Sequence, residues 1–200
     1  MREHLAQQGL PEIEFTKIRQ FFDHPKFVAE MAAAVTEVWD QVPEDKDETS
    51  RLLFTAHSVP VAHDNVGGAE GDKNLYSRQV AEAARLVALQ AGISDYDLVW
   101  QSRSGNPRTP WLEPDIVDHT TDIHRKEGID TVVVCPIGFI SDHMEVIWDL
   151  DSELRKAADE MGVKVLRTRT AGPTPRFAEM VVDLVEELEE GRDWELSGQV

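Results

Sequence analysis

Short apolar runs alternate with longer amphipathic segments along the chain, and this alternation predicts its secondary structure. The apolar runs lack polar alternation, which is typical of strands buried on both faces of a parallel sheet. These runs lie at 51–57, 97–103, 130–136 and 163–169. The amphipathic segments lie at 23–42, 74–92, 113–128, 142–162 and 175–191. Repeated strand–helix alternation predicts an α/β fold with three α/β/α layers and a four-stranded parallel sheet.

Residues at the helix boundaries fit this assignment. Either Asp23 or His24 can cap the first helix. Asp72 is placed to cap the helix at 74–92, and Gly92 is placed to end it.

Changes in pattern divide the chain into three parts. Residues 1–45 form a lead-in and the first helix, and residues 46–191 contain the strand–helix alternation of one lobe. Residues 192–200 follow the last predicted helix, and we expect them to form a frayed tail.

The chain is strongly acidic, which narrows the classes of function. Its 200 residues include 20 Lys and Arg against 38 Asp and Glu, a formal net charge of −18. Such a charge repels nucleic acid and anionic membrane surfaces, so neither is an expected partner. No apolar run approaches the roughly 20 residues of a transmembrane helix, and no signal peptide is recognisable. We therefore expect a soluble, cytoplasmic domain.

Cysteine content and short motifs exclude further classes of chemistry. The one cysteine, Cys135, cannot form an intramolecular disulfide and cannot alone hold an iron–sulfur cluster. Motifs for phosphate-binding loops, dinucleotide binding, serine hydrolases and CxxC redox centres are absent from the sequence. Nucleotide-phosphate chemistry and thiol redox chemistry therefore have no support.

Polar and aromatic residues follow the predicted strands at the points where α/β proteins bind ligands. In open parallel sheets, ligands bind outside the carboxyl ends of the strands. The residues that follow the first three strands are His57, then Arg103 and Trp111, then His143 and Glu145. Because parallel strands carry these loops to one edge of the sheet, we expect the side chains to converge there.

A row of acidic residues at helical spacing starts at this edge. Glu145, Asp149 and Glu153 lie four residues apart, so on a helix they span roughly 12 Å. One interpretation is a solvated acidic face in a chain that is acidic throughout. The other is a row of oxygen ligands that relays divalent cations or protons.

The neighbouring residues also have two interpretations each. His57 is either a structural side chain at a strand end or, opposite a carboxylate, a metal ligand or proton acceptor. Trp111 is either a hydrophobic plug or one wall of a pocket for a flat aromatic ligand. His143 lies near a helix N-terminus, which disfavours its protonated form and suits a neutral hydrogen-bond partner.

Five sequence blocks are distinctive in their content and order. They are IRQFFDHPKFVA at 18–29, LLFTAHSVP at 52–60, GDKNLYSRQ at 71–79, LVWQSRSGNPRTPWLEPD at 98–115 and VVVCPIGFISDHMEVIWDLDSE at 132–153. Together they resemble the ferrochelatase family over about residues 15–190, which is far more specific than any single short motif. They are most similar to actinobacterial, coproporphyrin-using members.

This resemblance implies a Rossmann-like chelatase lobe that inserts Fe²⁺ into a porphyrin, coproporphyrin III or protoporphyrin IX, in heme biosynthesis. His57 is similar to the family's cleft histidine, a metal ligand or acceptor of pyrrole protons, and Glu145 to its acidic partner. Asp149 and Glu153 match a carboxylate ladder that leads outward along a helix with π-helical character. These four residues are the candidate metal site.

Candidate contacts to the porphyrin come from the same edge. Trp111 matches a tryptophan that lines the macrocycle pocket of the family. Arg103 and His143 are assigned as further contacts to the porphyrin. The macrocycle must be bent before a ring nitrogen can point its lone pair at the metal, and binding energy in a shaped cleft can supply that strain.

The chain also departs from the family pattern. Family members contain a first Rossmann-like lobe that closes the porphyrin cleft, and this sequence begins near the end of that lobe. The resemblance therefore predicts the C-terminal half of a ferrochelatase, with a missing first lobe as a candidate partner. Cluster-bearing members carry cysteines beyond about residue 190, where this chain has none, so we expect no cofactor besides the substrate Fe²⁺.

Two other classes of function are alternatives to the enzyme. A non-catalytic half-chelatase would bind metal or tetrapyrrole, or dock to a separate lobe. An exposed apolar surface where the first lobe should lie would favour this alternative or a simple truncation. A plain structural domain would bind neither metal nor porphyrin.

Overall fold

The computed structural model describes residues 16–68, 72–106 and 108–191, in which helices and strands alternate. The strands are β1 (Ser50–His57), β2 (Tyr96–Gln101), β3 (Thr131–Cys135) and β4 (Lys164–Arg167). The first four helices are α1 (Pro25–Trp39), α2 (Val61–Asp64), α3 (Leu75–Ala91) and α4 (Ile116–Glu127). Helix α5 comprises Met144–Val146, a π-helical segment Ile147–Leu154 and Arg155–Met161, and α6 is Pro175–Glu189. Within these ranges, no helix is both long enough and apolar enough to cross a membrane.

The four strands form one parallel sheet in the order β2–β1–β3–β4. Strands β1 and β3 are central, and Phe54 of β1 pairs with both Leu98 of β2 and Cys135 of β3. The carboxyl ends of these strands therefore meet at one edge. The predicted four-stranded parallel sheet is confirmed.

Alternating strand residues contribute to separate cores on the two faces of the sheet. On one face, Leu52 and Phe54 pack with residues of α1, α3 and α6. On the other face, Leu53 and Val134 pack with residues of α4 and α5. Burial of both faces explains why the apolar runs show no polar alternation, and it confirms the three layers.

Helix α1 belongs to the same body as the sheet. Its Met31 and Val35 are fully buried in the core that α3 and α6 complete. His24 is its N-cap, with Nδ1 accepting a hydrogen bond from the Lys26 N–H at 3.2 Å. The predicted boundary at residue 45 lies in a 3₁₀ segment, Glu44–Thr49, and stays a prediction. Residues 1–15 of the lead-in and the tail at 192–200 lie outside the described residues.

The predicted cap of α3 is wrong. Asn74, with a left-handed φ of 58°, is the N-cap residue. The carboxylate of Asp64 accepts from the Ser77 N–H at 3.1 Å and from its hydroxyl at 2.7 Å. Asp72 instead pairs with Arg78 at 2.6 Å. A carboxylate from α2 therefore caps α3, which sequence spacing near the helix start does not reveal.

Candidate active site

The strand order reverses between β1 and β3, and this reversal opens a crevice at the carboxyl edge of the sheet. From β1 the chain passes through α3 to β2 on one side, and from β3 through α5 to β4 on the other. Helices α3 and α5 pack on opposite faces of the sheet. The loops after β1 and β3 therefore diverge, and ligands of open α/β sheets bind at such points.

His57, the last residue of β1, faces Glu145 in the first turn of α5. Nε2 of His57 and Oε1 of Glu145 are 3.2 Å apart, although the two residues are separated by 88 positions in the sequence. Their side chains are 38% and 49% exposed, so a ligand can reach both. The adjacency of β1 and β3 brings this predicted pair together.

The other ring nitrogen of His57 determines which tautomer the neutral ring adopts. Nδ1 lies 2.5 Å from the carbonyl oxygen of Ser58. Because a carbonyl can only accept, Nδ1 carries the hydrogen, and the lone pair of the neutral ring is on Nε2. That lone pair is on the side of Glu145, whose carboxylate oxygen lies 3.2 Å from Nε2.

The main chain at His57 is held from α3. The hydroxyl of Tyr76 donates to the His57 carbonyl at 2.8 Å, and its ring lies 5.8 Å from that of Trp100. Burial raises the pKa of Tyr76 to about 12, so the hydroxyl remains a donor at neutral pH. The sequence pattern does not single out Tyr76, because it lies on a helix rather than after a strand.

The loop between β3 and α5 places Glu145 by close backbone packing. A Cβ on Gly138 would lie 2.4 Å from the Cβ of Ala56 in β1, so the loop approaches the strand as closely as glycine allows. The next residue, Phe139, is buried and contacts the ring of His143 with centroids 5.4 Å apart. His143 is the N-cap residue of α5, where its side chain makes no capping hydrogen bond.

The next acidic residue along α5, Asp149, is held by the end of β2. Gln101 Nε2 donates to Oδ2 of Asp149 at 3.1 Å, and the hydroxyl of Ser102 donates to the same oxygen. Gln101 is buried and accepts in turn from the Thr55 hydroxyl at 3.1 Å. Gln101 and Ser102 are site residues that the sequence assignment omits, and their position directly after the second strand is the signal that could have identified them.

The acidic row forms no preassembled metal centre. Across the described ranges, no group of three or more His, Cys, Asp or Glu side chains is arranged to hold a metal ion. His57 and Glu145 are together, whereas Asp149 bonds elsewhere and Glu153 is exposed further along α5. The predicted π-helical character is present over Ile147–Leu154. A relay through Asp149 and Glu153 stays a prediction.

Trp111 and Arg103 occupy different places at this edge. Trp111 is partly buried and forms an antiparallel bridge with Pro60, just after β1. Its buried Nε1 has no hydrogen-bond partner among the described residues. Arg103 lines a cavity of about 220 Å³ and lies 3.8 Å from the carboxylate of Glu113.

Exposed apolar side chains flank Glu145 on α5 and the loop before it. Met144 is 77% exposed and Trp148 is 57% exposed. Ile140 and Ile147 are also exposed. Large uncovered apolar surfaces of this kind mark contacts with ligands or other proteins.

The fold and the site together define a class: an α/β protein with a histidine–carboxylate pair at the switch point of its parallel sheet. More narrowly, the chain belongs to the ferrochelatase family, whose family model matches residues 1–189.

Curated relatives agree with this assignment. The chain is similar to the coproporphyrin III ferrochelatase of Corynebacterium glutamicum, with 54% identity over 100% of this chain and 54% of the relative. The protein of the same name from Nocardia farcinica is 54% identical over 93% of this chain and 53% of the relative. The chain thus spans about half the length of the curated relatives it matches.

A solved structure also aligns with the chain. It is a multi-domain Deinococcus radiodurans protein described as structurally similar to chelatases. The alignment covers 78% of this chain and 28% of that one, with 19% sequence identity and a TM-score of 0.44. At that level the alignment carries no argument about function.

Proposed function

We propose that this chain carries the metal-insertion half of a ferrochelatase that acts on coproporphyrin III. The observation that carries the proposal is the His57–Glu145 pair, 3.2 Å apart at the switch point. The names of the relatives support coproporphyrin III over protoporphyrin IX. The proposal assigns the remainder of the cleft to a first lobe, and the chain spans 54% of the length of one such relative.

Insertion of Fe²⁺ into a porphyrin exchanges two pyrrole protons for one metal ion. Bonds form between iron and the ring nitrogens, two N–H bonds break, and both protons must go to bases. The lone pair on His57 Nε2 accepts one proton, and the carboxylate of Glu145 accepts the other. Alternatively the pair binds the incoming Fe²⁺, because imidazole nitrogen and carboxylate oxygen are both ligands for iron.

Asp149 and Glu153 extend the proposed path outward along α5. Their carboxylate oxygens suit a hard divalent cation. Asp149 accepts hydrogen bonds from two neutral groups, Gln101 and Ser102, so its negative charge stays available to a passing cation. Cations would then move from the exposed Glu153 towards Glu145.

The porphyrin contacts of this proposal are Trp111, Arg103 and His143. The ring of Trp111 offers a flat face, and Arg103 offers a cation to a carboxylate of the porphyrin. The exposed Met144 and Trp148 add apolar surface for the macrocycle or for the first lobe.

The proposal requires no resident cofactor, because Fe²⁺ is the substrate. Cys135 lies buried in β3, where burial raises the pKa of its thiol to about 12, so it supplies no thiolate to a cluster. A cytoplasmic location is part of the same proposal, supported by the acidic sequence with its single cysteine.

Anaerobic insertion of Fe²⁺ into coproporphyrin III and protoporphyrin IX, followed by Soret absorbance, tests the proposal. We expect turnover to favour coproporphyrin III and to fall by about 10²-fold or more in both His57→Ala and Glu145→Ala, the range typical of lost acid–base groups. The matched controls are His63→Ala and Glu160→Ala, which remove exposed side chains that are not part of the pair and should keep wild-type rates.

Other outcomes would contradict the proposal. Turnover that survives both site substitutions would remove the pair from the chemistry. Absence of turnover, with porphyrin fluorescence unchanged on adding protein, would exclude catalysis by this chain. Porphyrin binding without turnover would favour the non-catalytic half, for which the uncovered apolar residues beside Glu145 are the specific support.

A further inference from the structure

Arg167, at the end of β4, binds two carboxylates of the segment that carries Glu145. Its Nε and Nη2 donate to the two oxygens of Asp151 at 2.8 and 2.9 Å, and Nη1 donates to Asp142 at 2.9 Å. The Arg167 side chain is only 16% exposed. One planar guanidinium thus holds two points of the chain in a fixed geometry.

The two carboxylates lie on either side of Glu145. Asp142 precedes it in the loop after β3, and Asp151 follows it inside the π-helical segment of α5. The same loop has one further tie, since the Gly172 N–H donates to the Ile140 carbonyl at 2.8 Å. The start of α5 is therefore connected to β4 and to the chain that follows β4.

The charge pattern of this segment gives the arginine a specific task. The segment contains five carboxylates that repel one another: Asp142, Glu145, Asp149, Asp151 and Glu153. Arg167 compensates two of these charges at hydrogen-bond distance. Arg155 approaches Asp151 only to 4.0 Å and is 46% exposed, so it cannot replace the bidentate contact.

We propose that Arg167 is a positioning residue that holds Glu145 against His57 by anchoring Asp142 and Asp151. It donates to these carboxylates and to the Thr168 carbonyl, so its hydrogen bonds go to residues outside the pair. The inference rests on the proposed function for the task of Glu145, whereas the contact itself is measurable without iron or porphyrin.

The test follows the ¹H–¹³C signal of the His57 ring in the metal-free protein by NMR. The change in chemical shift of this His57 signal in Glu145→Ala shows where the signal lies when the contact with Glu145 is lost. We expect Arg167→Lys, which keeps the charge but loses the planar fork, to move the His57 signal towards the Glu145→Ala position. Asp142→Asn should move it in the same direction by less. Arg155→Lys, the matched control, should leave it at the wild-type position.

A double variant separates positioning of Glu145 from a general loss of structure. If Arg167 acts through Glu145, then Glu145→Ala/Arg167→Lys gives the same His57 signal as Glu145→Ala alone. A His57 signal at the wild-type position in Arg167→Lys overturns the proposal. So does a further displacement in the double variant, because Arg167 would then act on His57 by another route.

Addition of Mn²⁺ distinguishes this inference from the proposed function. Binding of Mn²⁺ at the pair broadens the His57 signal, and we expect about tenfold more Mn²⁺ to be needed in Arg167→Lys, a ΔΔG near 1.4 kcal/mol. Wild-type protein without His57 broadening would contradict the metal role of the pair. The shift comparison in the metal-free protein would still decide whether Arg167 positions Glu145.

Discussion

Single atoms, present or absent, determine the geometry of the His57–Glu145 pair. In the neutral ring of His57, the hydrogen on Nδ1 is directed at the Ser58 carbonyl, and the lone pair is on Nε2. The missing Cβ of Gly138 lets the loop that leads to Glu145 approach β1. At this scale the site is specified by backbone positions as much as by the reactive side chains.

Gly138→Ala should therefore disturb both stability and site. The new methyl group would lie 2.4 Å from the Cβ of Ala56, so the loop must shift. We expect the free energy of unfolding in urea to fall by about 1–3 kcal/mol, as for other overpacked positions. Fe²⁺ insertion should fall with it. Gly67→Ala is the control, since the nearest atoms to its Cβ are the carbonyl oxygens of Asp64 at 3.3 Å and His63 at 3.7 Å; an equal loss there would contradict this explanation.

At the scale of elements, the sequence predicted the strands and long helices because burial and periodicity determine them. The four strands lie within or next to the four predicted apolar runs. Gly92 and Gly128 end α3 and α4, with φ values of 73° and 76°. The sequence did not predict α2 or the 3₁₀ segment, which are too short for a periodic pattern. It also misplaced the cap of α3, because Asp64 reaches that helix through tertiary packing.

The candidate site divides in the same way. His57 and Glu145 were predictable, since each follows a strand whose position in the sheet was predictable. Gln101 and Ser102 could have been found by their position at the end of the second strand, whereas Tyr76 and Arg167 could not, because their roles depend on hydrogen bonds between elements distant in the sequence. Strand order and side-chain direction decide those bonds, and neither leaves a local pattern.

The cap of α1 makes the stability of that helix depend on pH. Burial lowers the pKa of His24, and the Arg19 charge lowers it further against the opposing effects of Asp183 and Glu187. The unfolded state therefore binds a proton more readily than the folded state. The stability that this cap contributes is fully present above about pH 6.5, the ordinary pKa of histidine. It is lost as the pH falls through the lower pKa of His24 in the folded state. Protonation would also occupy the nitrogen that accepts from Lys26.

His24→Asn tests this dependence, because asparagine caps helices well and does not titrate. We expect urea unfolding between pH 7 and 5 to show a steeper loss of stability for wild type than for the variant. Parallel pH profiles for the two proteins would remove His24 as the cause.

For the whole molecule, the net charge of −18 opposes folding through self-repulsion. Some positive side chains face several carboxylates at once, such as Arg51, which faces those of Asp95, Asp97 and Glu127. The excess negative charge cannot be neutralised by such contacts, because the chain has 38 acidic residues and only 20 Lys and Arg residues.

Screening should therefore stabilise the protein. NaCl raised from about 0.01 to about 0.15 M shortens the screening length from roughly 30 to roughly 8 Å, and we expect the thermal midpoint to rise. Choline chloride at equal ionic strength should give the same rise, because it screens without offering a small cation to the carboxylates. A falling midpoint would mean that the ion pairs outweigh the repulsion.

The position of β4 has a consequence for the lifetime of the site. This strand, Lys164–Arg167, pairs with β3 alone at the edge of the described sheet. Edge segments with few partners are the first to open in local unfolding and the first to exchange their amide hydrogens. Since Arg167 lies at its end, each such opening releases the tether on Asp142 and Asp151. The time for which Glu145 stays beside His57 is thus limited by local unfolding of the shortest strand of the sheet rather than by unfolding of the whole chain.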